Sequence, residues 1–206
     1  VLTENYTGAA GTEITYAYDT GVNGIGRLTS VVTSPATTNY TYNAVGGIDT
    51  ETRIITSVNY VTKFEYDRQG NPTIITYPDN SQVKYTYNSA GLLEKISRKE
   101  SGEAVFANVV TNIDYNPVGK IAIKNFANGV NTTNTYDSNK LYRLTNITTA
   151  LSGNLQNISY TYDKIGNITK IIDSSSTNAA KTANYTYDDL YRLTSATVTG
   201  AANGQN

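Results

Sequence analysis

A motif of the form aromatic-x-Tyr-Asp/Asn, two variable residues, Gly, a polar residue and then Leu or Ile recurs along this chain. A fixed period decides architecture before any single segment does. Tyr160-Thr161-Tyr162-Asp163-Lys164-Ile165-Gly166-Asn167-Ile168 is a full copy, Tyr85-Thr86-Tyr87-Asn88-Ser89-Ala90-Gly91-Leu92-Leu93 a second, and Tyr185-Thr186-Tyr187-Asp188-Asp189-Leu190-Tyr191-Arg192-Leu193 a third. The second aromatic falls at Tyr18, Tyr42, Tyr66, Tyr87, Tyr115, Tyr136, Tyr162 and Tyr187, in steps of 24, 24, 21, 28, 21, 26 and 25 residues. Eight copies therefore fill the 206 residues.

Each copy begins as a half-buried strand, because its residues alternate in character with period two. Val83, Tyr85 and Tyr87 fall on one face, with Gln82, Lys84 and Thr86 on the other. Ile14, Tyr16 and Tyr18 repeat the pattern, as do Ile158, Tyr160 and Tyr162, and Ala183, Tyr185 and Tyr187. Tyr and Thr suit a pleated surface. The strand leads into Asp19, Asn43, Asp67, Asn88, Asn116, Asp137, Asp163 or Asp188. A carboxylate or amide oxygen there can accept a backbone N–H two residues on and start a turn. Three residues later stand Gly46, Gly70, Gly91, Gly119 and Gly166, able to close that turn with positive φ at no steric cost. Tyr191 takes this place in the last copy, where the pattern predicts local strain or a different turn. The first and sixth copies carry insertions, Asp19 to Gly26 and Asp137 to Tyr142.

In the outgoing strand, Leu28 and Val31 would sit on opposite faces, unless a bulge after the glycine restores the register. Return turns are expected at Ser34-Pro35-Ala36-Thr37, Tyr77-Pro78-Asp79-Asn80, Glu100 to Glu103, Asn128-Gly129 (the strongest short hairpin signal), Ser152 to Asn154 and Asp173 to Asn178. The last of these reads as a mobile loop. The second copy, with Asp49-Thr50-Glu51, is the most degenerate. Residues 1–13 read as the tail of a preceding unit and 200–206 as a frayed end. The expected fold is all-β: one array of antiparallel β-hairpins over 1–206, roughly sixteen strands, with no helix of useful length. Such a sheet has an apolar tyrosine face that must be covered, closed upon itself, or wrapped around something.

Composition narrows the chemistry. The chain has no His and no Cys, which removes Ser-His-Asp and Cys-His catalysis and the usual zinc ligands. A carboxylate pair of the glycosidase kind remains conceivable. However, Asn43, Asn88 and Asn116 stand where other copies have Asp. That interchange fits a turn-capping oxygen and argues against an acid or base. Calcium is disfavoured because each turn brings one or two acidic groups at most. No cofactor or metal is expected. A formal net charge of −1 offers nothing to nucleic acid, and no apolar run is long enough for membrane insertion. Eighteen Tyr invite a carbohydrate-stacking reading, although tandem wall-binding repeats of that sort usually carry Trp, and this chain has none. Arg27, Arg143 and Arg192 follow the turn in three copies and read as solvated or cross-strand residues. Asn-x-Ser/Thr at Asn5, Asn39, Asn131, Asn146, Asn157, Asn167 and Asn184 reads as a by-product of Asn- and Thr-rich strands. Without an initial Met, the sequence reads as an excised or processed piece of a longer chain.

The Tyr-Asp-x-x-Gly-Arg-Leu pattern, matched best by Tyr162 to Ile168 and Tyr187 to Leu193, resembles the YD repeats of Rhs (rearrangement hotspot) proteins. Related repeats occur in the C components of bacterial Tc toxin complexes, in wall-associated bacterial proteins and in teneurins. The resemblance covers essentially the whole chain. It implies a spiralling or curved β-hairpin ribbon, which in family members makes a hollow shell, in the bacterial cases around a toxic C-terminal domain. It further implies a non-enzymatic structural module of a secreted or surface bacterial protein, whose partners are the rest of the parent polypeptide or an enclosed toxin domain. Eight units are fewer than the full shells need. No stretch matches the family's C-terminal core region, so self-cleavage carries over to no residue here. The alternatives are a glycan- or protein-binding module, marked by an exposed strip at Tyr16, Tyr40, Tyr85, Tyr160 and Tyr185, and a glycoside hydrolase, marked by two convergent carboxylates.

Overall fold

The structure is a computed structural model and describes residues 2–4, 13–175 and 180–200. Most of the tail expected over 1–13, half of the loop expected over Asp173 to Asn178, and the expected frayed end beyond Gly200 lie outside the described residues. Among those described, seventeen strands and no helix form. The chain divides into two compact units, Val1–Ala107 and Asn108–Asn206.

The first unit is an in-order antiparallel meander. Its strands are β1 (Leu2–Glu4), β2 (Ile14–Tyr18), β3 (Leu28–Thr33), β4 (Ala36–Tyr42), β5 (Ile48–Ile55), β6 (Val58–Tyr66), β7 (Pro72–Thr76), β8 (Gln82–Tyr87) and β9 (Leu93–Lys99). Each pairs with the next. The second unit repeats the plan with β10 (Ala107–Tyr115), β11 (Ile121–Phe126), β12 (Asn131–Asp137), β13 (Arg143–Ala150), β14 (Asn154–Tyr162), β15 (Ile168–Asp173), β16 (Lys181–Tyr187) and β17 (Leu193–Thr199).

A bulge sits at the same place in all eight hairpins and resolves the face problem of the outgoing strand. In the first, Ala17 pairs with Ser30 and Tyr18 with Leu28, so Thr29 is the extra residue. The skipped residues in the others are Asp49, Thr73, Glu94, Ala122, Thr145, Thr169 and Thr194. One extra residue shifts the side-chain alternation by one place. Leu28 and Val31 therefore both oppose tyrosines of one face, Tyr18 and Tyr16. Ile168 and Ile171 do the same against Tyr162 and Tyr160. Where the bulged residue is Thr, its hydroxyl can serve the ladder group that the bulge leaves unpaired. Thr29, Thr145 and Thr169 donate to the carbonyls of Ala17, Thr135 and Thr161 at 3.2, 3.1 and 3.3 Å.

The return turn expected at Asn128-Gly129 forms between β11 and β12. Only Gly129 is left-handed, and the loop spans Phe126 to Val130, whose N–H and C=O close it at 2.8 Å. Asn128 caps it, its side-chain oxygen accepting the Val130 N–H at 3.1 Å. A two-residue turn with both residues left-handed occurs where no sequence signal marks it. Thr56 and Ser57 have φ of 46° and 66° between the paired Ile55 and Val58. Registry on either side imposes that conformation, since the hand of a two-residue hairpin must match strand twist.

Burial is shallow. Val110 and Ile113 are each 5% exposed, but no large side chain among the described residues is fully buried. Tyr16, Tyr40, Tyr85, Tyr160 and Tyr185 are all half-buried. This is neither the sealed core nor the open aromatic strip that would separate scaffold from binding face outright. Stability in such a sheet resides in the joints between neighbouring repeats.

Candidate functional site

The motif residues meet at each turn. In the third copy, the Asp67 carboxylate accepts N–H bonds from Gln69 (2.8 Å) and Asn71 (2.9 Å), while the Asn71 amide donates to its other oxygen (3.0 Å). Asp163 binds Ile165, Gly166 and Asn167 N–H at 3.1, 2.7 and 2.8 Å and the Asn167 amide at 2.9 Å. Asp188 accepts Leu190 and Arg192 N–H and the Arg192 side chain. Asn43, Asn88 and Asn116 accept the same pair of N–H groups, two and four residues on, with one oxygen each. One acceptor oxygen is all the turn requires, which is why Asp and Asn exchange. In the inserted copies the carboxylates bind differently: Asp19 accepts Gly26 N–H at 2.5 Å, and Asp137 accepts Asn139 N–H at 3.0 Å.

The closing residue is left-handed throughout: Gly46, Gly70, Gly91, Gly119 and Gly166 all have positive φ. Tyr191 adopts the same conformation, at φ 62°, and its N–H bonds the Asp188 carbonyl at 2.9 Å as Gly70 bonds Asp67 at 3.2 Å. The last copy therefore keeps the common turn with a residue that costs about 1 kcal/mol there. Because Tyr191 is 62% exposed, Tyr191→Gly gives up little packing. It is expected to raise stability by about 0.5 kcal/mol after the added unfolded-state entropy. Gly70→Ala is expected to lower stability by about 1 kcal/mol. Urea unfolding midpoints of the two variants should move in opposite directions.

Hydrogen bonding sets the acidity of these carboxyls. The Asn71 amide is the main cause that holds Asp67 below the usual carboxylate range. The Arg192 backbone N–H, then its side chain, does the same for Asp188. At Asp163 partial burial pushes upward, and the Gly166 and Asn167 donors outweigh it. A depressed folded pKa contributes stability that is fully present above the unfolded value and lost as pH falls through the folded one. Stability should thus hold near neutral pH and decline below about pH 4. A variant carrying Asp67→Asn, Asp163→Asn and Asp188→Asn should show a flatter acid limb in urea midpoints measured against pH.

The tyrosines join one repeat to the next, through a contact with no sequence signature. Tyr42, Tyr66 and Tyr87 donate their hydroxyls to the backbone carbonyls of Leu28, Ile48 and Pro72. Tyr136, Tyr162 and Tyr187 donate to Ile121, Leu144 and Ile168. All six lie between 2.5 and 2.9 Å. The acceptor is in each case the residue of the preceding repeat's outgoing strand that stands opposite that repeat's own motif tyrosine: the pairs are Tyr18–Leu28, Tyr42–Ile48, Tyr66–Pro72, Tyr115–Ile121, Tyr136–Leu144 and Tyr162–Ile168. Burial pushes the Tyr66, Tyr87 and Tyr162 phenols up.

The residue after the turn adds a second inter-repeat contact. Arg27 lies over the Tyr42 ring at 5.5 Å, Lys120 over Tyr136 at 5.6 Å and Arg143 over Tyr162 at 5.8 Å. Arg143 also donates to the Asp163 carbonyl at 3.1 Å, and Lys120 to that of Tyr142 at 2.9 Å. Arg192 instead pairs with Asp188 in its own turn at 2.7 Å. An open groove of about 400 Å³ lies beside the Arg143 joint, lined by Asn139, Lys140, Leu141, Tyr162, Asp163 and Lys164. Its lining holds one carboxylate among the described residues, Asp163, whose oxygens serve the turn. Among the described residues no three acidic, His or Cys side chains converge as a metal site would require.

No family model matches the chain, and no curated protein matches it. Solved structures do. A TcdB2-TccC3-Cdc42 structure covers 94% of this chain with a TM-score of 0.80 and 18% identity. A TcdB2-TccC3 structure covers 90% with the same score and identity. The Photorhabdus luminescens Tc holotoxin pore, carrying a TccC3 mutation, covers 94% with a TM-score of 0.79 and 18% identity. The chain spans 11% of the length of each of these matched chains. It therefore has the fold of a segment of them, an all-β array of antiparallel hairpins, in agreement with the YD-repeat resemblance of its sequence.

Proposed function

We propose, from a fold shared with a segment of Tc toxin components, that this chain is a structural wall module of a larger β-shell and performs no chemistry of its own. Its partners are then the remainder of a longer polypeptide and a domain enclosed by that shell, in a protein exported from a bacterium. One observation carries the reading: the recurring polar groups of the motif are consumed within the turns and, for six of the eight motif tyrosines, within the joints. Motif carboxylates and amides cap turns, and motif phenols join repeats. A binding or catalytic surface would hold such groups in reserve.

A wall has two unlike faces, and the absence of Cys makes them easy to label. Ala183 lies on the tyrosine face, opposite Val198, and Thr186 on the other, opposite Ser195. In the chain alone, Ala183→Cys and Thr186→Cys should both react with a bulky maleimide–polyethylene glycol. In the longer polypeptide, one of the two should become protected while the other still reacts. Equal labelling of both in the longer polypeptide would overturn the wall reading.

A further inference from the structure

Asn-Gly pairs stand at Asn23-Gly24 and Asn128-Gly129, and the fold treats them in opposite ways. A third, Asn203-Gly204, lies outside the described residues. An Asn before Gly is the pair most prone to lose its side-chain amide, because no β-carbon on the next residue shields the backbone nitrogen that attacks.

Asn23 is held at both of its polar ends. Its Nδ2 donates to the Tyr42 carbonyl at 3.1 Å, and its own carbonyl accepts from the Arg27 guanidinium at 3.0 Å. An amide that is donating is a poorer leaving group. The attacking atom would be the nitrogen of Gly24, which is buried. The Thr20 carbonyl oxygen lies 1.9 Å and the Thr29 methyl 3.0 Å from where a Cβ on Gly24 would stand, so no ring can close over it. The Gly24 N–H reaches the Gly21 carbonyl only at 3.4 Å. Enclosure and the hold on Asn23 protect this pair, and that long bond does not.

Asn128 is the reverse case. It is exposed, and its Oδ1 accepts the Val130 N–H at 3.1 Å, which draws electrons from Cγ and makes it more electrophilic. A Cβ on Gly129 would meet only the end of the Leu151 side chain, at 3.2 Å, and Leu151 is 54% exposed and able to swing aside. Attack requires the Gly129 N–H to leave the Phe126 carbonyl, now 3.1 Å away. Hairpin loops with few buried contacts open at the least cost in free energy.

We infer that Asn128 is a site of spontaneous deamidation, which needs water alone and which the fold directs to the β11–β12 turn while sparing Asn23. The Gly129 nitrogen bonds to the Asn128 Cγ, its proton passes through water to Nδ2, and Nδ2 departs as ammonia, leaving a cyclic imide. Water then opens that ring. Breaking the new Cγ–N bond gives aspartate, and breaking the original peptide bond gives isoaspartate, whose main chain runs through Cβ and Cγ. Aspartate keeps the capping oxygen, as Asp67 does where Asn88 stands in the next copy. Isoaspartate lengthens the main chain inside the loop. The Phe126 N–H and Val130 carbonyl then no longer meet, and the adjoining Asn125–Asn131 pair loosens.

The full chain is aged in mildly alkaline buffer and sampled by peptide mapping with mass spectrometry. Asn128 is expected to lose its amide roughly tenfold faster than Asn23, the share of the hydrogen bonds that hold Asn23. In urea the two rates should converge. Methylation by an isoaspartate-specific carboxyl methyltransferase should label the Asn128 peptide of the aged chain, and amide exchange in that chain should quicken in β11 and β12. Asn128→Asp, which carries the charge without the longer main chain, should leave exchange there unchanged. Equal rates at Asn23 and Asn128 in the folded chain would overturn the assignment, as would an Asn128 that reacts only in urea. Loosening by Asn128→Asp as large as that of the aged chain would overturn the role given to isoaspartate.

Discussion

Tyr162→Ala is expected to destabilise the second unit by about 3.5 kcal/mol, while Tyr162→Phe costs about 1. Ring and hydroxyl do different things at this position. The ring is half-buried, so its loss falls below the 3–5 kcal/mol typical of a sealed aromatic, at about 2. The hydroxyl gives a net hydrogen bond to the Leu144 carbonyl at 2.7 Å, worth about 1 kcal/mol. The Arg143 guanidinium, 5.8 Å from the ring centroid, loses its partner only in the Ala variant, for about 0.5 kcal/mol more. Thermal and urea unfolding of both variants check the ordering. Equal losses for Phe and Ala would assign the joint to the hydroxyl alone. A neutral Phe variant would assign it to packing alone. Because repeats contact mainly their neighbours, the damage should concentrate in β13 to β15. Amide exchange there should accelerate before it does in β11 and β12.

Period, alternation and the turn recipe were legible in the sequence because each is local. Asp67, the Gly70 that follows it and the alternation through Tyr66 lie within a few residues, and the backbone reads them directly. The bulge left a trace too: Leu28 and Val31 fail to alternate, and the extra Thr29 is why. The joints left none. A tyrosine hydroxyl seeking a backbone carbonyl 14 to 19 residues upstream imposes no demand on side-chain identity there. Leu, Ile and Pro all serve as acceptors. Tyr191 shows the opposite limit, in which tertiary registry outweighs a local preference. The flanking pairs Tyr187–Leu193 and Thr186–Ser195 and the Asp188 cap hold the common turn despite the wrong residue for it. Thr56-Ser57 is the same case on the return side.

Gly24→Ala in the first turn is expected to cost about 2–3 kcal/mol, well above the cost at its neighbouring glycines. Gly24 is buried within the Asp19 to Gly26 insertion. A Cβ there would stand 1.9 Å from the Thr20 carbonyl oxygen, 2.9 Å from its carbon and 3.0 Å from the Thr29 methyl. Backbone must move to admit it, and that backbone is held. Thr20 and Thr29 share a hydroxyl hydrogen bond at 2.6 Å, and Thr29 is the bulged residue, itself bonded to the Ala17 carbonyl. The Arg27 N–H bonds Gly24 O at 3.0 Å, and the Arg27 side chain lies over Tyr42. Displacing Gly24 therefore loosens the bulge on one side and the first joint on the other. Gly21→Ala meets nothing within 4 Å and carries only the strain of φ 73°, about 1 kcal/mol. Urea midpoints should fall in the order Gly24→Ala below Gly21→Ala below the parent chain. If the two variants prove equal, the turn yields as a unit, and the insertion does not brace the first joint.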